Sequence, residues 1–270
     1  MARVLLPFLA LLALALLLYP RLFSPSPSPE ALRARLLQGG EVGLPPGAYT
    51  MEGGEVVRNL ELRGEGARLR LRSPLVVYPG VALRLWGVGL EGEGLPFLLR
   101  LAPGARLEAE GVEARCEGCR AVVEAEGQVE AVRTLLDGGA RGAQVVLSLG
   151  DGARARLEEA RLRGGIQACL LLQGKAEAEV LGGEVGPSGH AGVLVLGAGR
   201  YRLQGVAFRD NPTAALVVLG EGAEGRLEGV RVEGGRYALY LGEKAPAPVL
   251  GAGNVFRSRQ VVGRLSEGSR

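Results

Sequence analysis

Acid–base equipment is scarce in this 270-residue chain. It holds one histidine, His190, and three aspartates, Asp137, Asp151 and Asp210. Metal sites, histidine-dependent triads and aspartate-based glycosidase sites all draw on these residue types. Lysine is nearly missing too: of 32 basic residues only Lys175 and Lys244 are lysine, and the rest are arginine. Three Cys, two Met and three Asn leave few thermolabile side chains, a composition expected of a high-GC thermophile. Neither sign of charge dominates, since the formal net charge is +3, and no basic face is interleaved with aromatics. Nucleic acid is therefore not an expected partner. What remains is 44 Gly and 47% hydrophobic residues, which excludes a disordered chain, while the lack of a Gly-X-Y period excludes collagen.

Residues 4–19, VLLPFLALLALALLLY, form one uncharged apolar run between Arg3 and Arg21. No polar face interrupts it, so a buried core helix is a poor reading. A basic start and this length fit a signal peptide or a membrane anchor, spanning residues 1–23 with its flanks. No A-x-A-like cleavage site follows, and no Cys stands near for lipoprotein processing. The expectation is an uncleaved transmembrane helix that tethers an extracytoplasmic body, with secretion after cleavage as the alternative. Residues 24–29, with Pro at every second position from Pro25 to Pro29, form a stiff spacer.

The body repeats. From residue 79 it divides into seven coils of 22–24 residues, beginning at 79, 103, 127, 151, 174, 198 and 221. Stacking them aligns Leu101, Ala125, Leu149, Leu172, Leu196, Leu219 and Leu241 in one column. Two residues earlier stand Leu99, Val123, Leu147, Leu170, Leu194, Val217 and Leu239. Such i, i+2 pairs have the strand period, and Gly-rich turns separate them. Strands this short cannot bury a face alone, so they are expected to stack in parallel on the next coil. The predicted fold is all-β: a single-stranded parallel β-helix of about nine coils over residues 39–265, with a tail at 266–270. At ~4.8 Å per coil the rod is roughly 40 Å long.

GGEVGLPPGAYT (39–50) followed by VVRNLELRGEGARLRL (56–71) resembles the opening rungs of right-handed parallel β-helices of the pectin-lyase-like superfamily. RDNPTAALVVLG (209–220) and GAGNVF (251–256) resemble later rungs. The resemblance implies a capping helix at EALRARLLQ (30–38), with Tyr49 and Asn59 as turn residues. It implies little about activity, because this fold carries hydrolases, lyases, epimerases, adhesins and assembly factors alike. The superfamily's polygalacturonase-type and pectate-lyase-type members cluster several Asp, and here the three lie coils apart.

Candidate chemistry is sparse. His190 and Asp210 form the one acid–base pair that neighbouring coils could assemble, although a solvated turn histidine explains His190 as well. No catalytic residue, metal site or cofactor is expected beyond that weak pair. Cys116 and Cys119 form a C-x-x-C inside a turn, and too few ligands remain for zinc. A loop disulfide in an oxidising compartment is the expectation. A ridge of turn residues, Arg115, Asp137, Arg141, Arg163, His190, Arg209 and Asp210, could grip an acidic glycan through its guanidinium groups. Its alternating signs equally suit a surface that pairs with itself.

One column breaks pattern. Counting alternate residues as outward gives Arg100, Glu124, Ser148, Leu171, Val195, Val218 and Tyr240, polar for three coils and then apolar. With Val193 and Leu216 beside it, this stripe is expected either to lie under the C-terminal segment 255–265 or to mediate self-association or docking to an envelope partner. The functional expectation is a membrane-tethered β-helix of the cell envelope with a structural, binding or scaffolding role. A carbohydrate-active enzyme with a non-standard site is the alternative, and a periplasmic assembly factor a second one.

Overall fold

The computed structural model describes residues 28–264. The anchor, most of the spacer and the tail lie outside the described residues. Within them the chain is a parallel β-solenoid of about ten turns, one more than the sequence count. Each turn supplies one strand to each of three ten-stranded sheets, and every pairing is parallel. The first sheet runs from Gly40–Gly43 to Val249–Leu250, the second from Gly47–Met51 to Val255–Arg257, the third from Gly54–Val56 to Gln260–Arg264. Residues 255–264 form rungs on the end of the second and third sheets and do not fold back over the apolar stripe.

Helix α1, Pro29–Gln38, closes the N-terminal end. Ser28 Oγ accepts from the Ala31 amide at 3.2 Å, and Gly39, at φ 73°, donates its amide to the Arg35 carbonyl. Leu32 and Leu36 are fully buried in the core, so the helix covers edges that would otherwise invite another strand. Tyr49, expected in a turn, lies buried within strand Gly47–Met51, with its hydroxyl donating to the Pro45 carbonyl of the preceding turn at 2.7 Å. Asn59 locks the first coils together, its Oδ1 accepting from the Ala82 amide one turn on. Asn254 does the same at the other end for the Val230 amide.

The interior is a stack of aliphatic columns, and the structure corrects two of the predicted ones. The ladder runs Leu149–Leu172–Val195–Val218–Leu241, so Val195 and Val218 face inward and are fully buried. Leu196 and Leu219, expected inside, begin the following turn and are 45% and 38% exposed. The cause is local. In GVLVLG and ALVVLG adjacent aliphatics let either register fill the column, and a one-residue slip exchanges the two faces. The second correction concerns Leu98, Val122, Val146 and Cys169, which are buried although alternation points them outward. The ladder steps from Phe97–Ala121 directly to Leu99–Val123, so consecutive residues at this corner both enter the core. Val193 and Leu216 are likewise core residues.

Candidate functional site

The second sheet carries most of the predicted ridge. Its outer column reads Arg70, Glu91, Arg115, Asp137, Arg163, and after a short strand Arg209, Glu233, Arg257. Successive rungs place opposite charges side by side, and the cations spend their donors on neighbours. Arg163 Nη2 lies 2.9 Å from Asp137 Oδ2, and Asp137 Oδ1 accepts from the Gly139 amide at 2.8 Å. Asp137 is therefore a buried, fully bonded turn lock. Arg115 pairs with Glu117 at 2.6 Å, while its Nε is buried without a partner. Arg209 lies between Glu184 at 3.8 Å and Glu233 at 3.6 Å. Arg141 sits off the column in a turn and bonds Glu93, which pushes its guanidinium pKa up, first through that hydrogen bond.

His190 and Asp210 are not joined. His190 is exposed, its Nδ1 3.4 Å from Thr213 Oγ1. Asp210 is also exposed, in a left-handed conformation at φ 51°. The turn is held by a residue the sequence reading passed over. Asn211 is buried, donates Nδ2 to the Val185 carbonyl at 3.0 Å and accepts from Ser188 Oγ at 2.7 Å. Its RDNP context was the available signal.

Cys116 and Cys119 are joined by a disulfide with Cα atoms 5.8 Å apart, both sulfurs inside the core. Cys169 is a buried free thiol whose pKa burial pushes up to about 12. Among the described residues no group of three His, Cys, Asp or Glu is placed to hold a metal ion.

The outward column of the third sheet is Arg100, Glu124, Ser148, Leu171, Leu194, Val217 and Tyr240. The change from polar to apolar is real, but Leu194 and Val217 carry it where Val195 and Val218 were expected. Leu171 and Tyr240 lie where expected. Ala168, Ala191, Ala214 and Val217 form a cluster separate from the core, packed by Leu194, Tyr237 and Tyr240. Most of it is already shielded, with Leu171 and Val217 each 7% exposed.

Two features went unread. The outer face of the first sheet is a lattice of ion pairs between coils, such as Arg84–Glu108 at 2.9 Å and Arg156–Glu179 at 2.7 Å. Its signal was a position held by Arg or Glu in successive coils, as in Glu130, Arg156, Glu179 and Arg202. The second lies at the corner between the first and second sheets, where the chain turns through one left-handed residue. Glycine fills that position at Gly87, Gly111, Gly182, Gly205 and Gly229, with φ of 61–69°, and leaves the corner bare. Arg133 and Glu159 occupy it at φ 48° and 51°. Over the first coils the corner opens into a groove of about 950 Å³, from Gly43–Pro45 past Trp86 to Arg133. The indole Nε1 of Trp86 donates to Glu61 at 3.1 Å, and the Arg63 guanidinium stands 5.9 Å from the ring centre.

No family model matches the chain, and no curated protein matches it. Among solved structures it is similar to the Streptococcus pneumoniae surface protein and adhesin PfbA, at 7% identity, covering 88% of this chain and 94% of that one, with a TM-score of 0.36.

Proposed function

We propose that this protein is an extracytoplasmic β-solenoid, tethered by its N-terminal apolar segment, that scaffolds or binds in the cell envelope without catalysing a reaction. The observation that carries the reading is the pairing of its outer charges. Arg115, Arg141, Arg163 and Arg209, the cations best placed to grip a substrate, each spend donors on a carboxylate of their own rod. Groups held this way stiffen coil-to-coil stacking and are poorly available for transition-state stabilisation. The buried disulfide suits an oxidising compartment. The helical cap and the coil-locking Asn59 support placing the rod with the pectin-lyase-like β-helices.

The test is fractionation of cells expressing the full chain, with N-terminal sequencing of the recovered protein. The expected product sits in the membrane fraction, retains Arg21 and the SPSPSP spacer, and is digested by protease added outside the cytoplasmic membrane. A soluble form beginning after residue 23, or a body protected from external protease, would refute the tethered reading.

A further inference from the structure

The corner groove at the N-terminal coils has features that stacking alone does not require. Gly43 and Gly111 in its lining have open space where a side chain would stand, so a ligand can approach the main chain there. Its wall holds the chain's one tryptophan, and aromatic rings with a polar edge suit sites that are apolar on one side and wet on the other. The bond to Glu61 and the Arg63 guanidinium fix the indole before anything binds. Arg133 ends the groove, at the first one-residue corner where glycine is replaced, and it is held there against its backbone preference while its guanidinium bonds Glu110.

Charge selects the ligand class. Arg63 pairs with Glu61 and Arg133 with Glu110, while Glu65 lines the groove without a cation among the described residues, so the groove holds no free positive charge to attract an acidic chain. A neutral ligand with an apolar face for the indole and hydroxyls for the paired side chains fits these groups. The groove runs across successive rungs at ~4.8 Å, from Gly43 to Arg133, a course that an extended occupant can follow. We infer that the Trp86 groove binds a neutral, β-1,4-linked sugar chain, whose flat ribbon presents C–H faces for stacking and ring hydroxyls at its edges. This names a ligand class for the binding role proposed above and rests on that reading, while the fractionation result stands independently of it.

Because Trp86 is the only tryptophan, its emission reports this groove alone. Full-length protein in detergent is titrated with cellotetraose and tetra-N-acetylchitotetraose, with maltotetraose and tetragalacturonate as the coiled and acidic comparisons. A saturable emission change is expected with at least one β-1,4 tetramer below about 1 mM, and binding at least tenfold weaker for both comparisons. In calorimetry Trp86→Ala and Arg63→Ala should each weaken binding at least tenfold with unchanged far-UV circular dichroism. Should either variant fail to fold, Arg133→Ala carries the decision, with an expected loss of at least threefold. The inference is overturned if neither β-1,4 tetramer binds, if maltotetraose or tetragalacturonate binds as tightly, or if the folded variants keep wild-type affinity.

Discussion

Val195 and Leu196 are chemically alike neighbours, and the ladder sends one inside and leaves the other 45% exposed. Val195→Asp and Leu196→Asp therefore place the same carboxylate in the core and, one residue on, in the exposed turn that follows the strand. At 195 the substitution loses about 1.5–3 kcal/mol of apolar burial. It also adds several kcal/mol for an ion stripped of water with no cation to meet it. The sum, at least about 5 kcal/mol, rivals the whole stability of a typical domain. At 196 the expected change is within about 0.5 kcal/mol. Burial raises the introduced carboxyl's pKa above its unfolded value near 4, so the ionic penalty is fully present at pH 7. It shrinks as pH falls through the raised folded pKa, because the neutral acid is the form the core tolerates. Urea denaturation at pH 7.5 and 4.5 measures both. Val195→Asp should be unfolded or severely weakened at pH 7.5 and partly rescued at pH 4.5, with Leu196→Asp near wild type at each. Equal damage at the two positions, or greater damage at 196, would refute the register.

The remaining predictions are simpler. Cys169, with its thiol pushed up to about 12, is thiolate to roughly one part in ten thousand at pH 8. Iodoacetamide should leave it unlabelled in the folded protein and modify it once urea is added; rapid native labelling would contradict its burial. Asp137→Ala removes a buried acceptor from Arg163 and the Gly139 amide and should cost about 1–3 kcal/mol, discounted because the arginine is half exposed. A denaturation midpoint equal to wild type would show that this turn is not locked as described. Glu159→Gly relieves a left-handed residue that is not glycine, and should raise stability by about 0.5–1 kcal/mol in the same assay.

The repeat was legible because inward positions recur as Leu, Val and Ala at a nearly fixed period, and period alone specifies stacked strands. The cap was legible only through the resemblance of the opening rungs, which implies a helix at 30–38; its buried pair, Leu32 and Leu36, came from the structure. Register was not legible where consecutive residues are all aliphatic, as at Val193–Leu196, since composition no longer separates the faces. The corner that buries Leu98 beside Leu99 breaks the period-two rule by geometry that no residue type announces. The ridge was read at the right residues, but its pairing belongs to the distance between rungs: Arg163 finds Asp137 only after 26 residues of chain have closed a turn. Trp86 escaped attention because one aromatic has no periodic partner, and the groove it lines exists only when glycine corners are stacked.

The hydrogen bonds of this rod lie along its axis, since each coil bonds to the coil above and below. A pull applied between the two ends therefore loads those ladders in series, and the ends are unequal. At one, Leu32 and Leu36 pin a helix over the core; at the other, Val249, Leu250, Val261 and Val262 remain at least 46% exposed on the last rungs. Tension should peel coils from the C-terminal end in steps of about 23 residues. A segment anchored at residue 23 would hold the stronger end, so a force meter attached to the far end would record the molecule paying out coil by coil while its root stays folded.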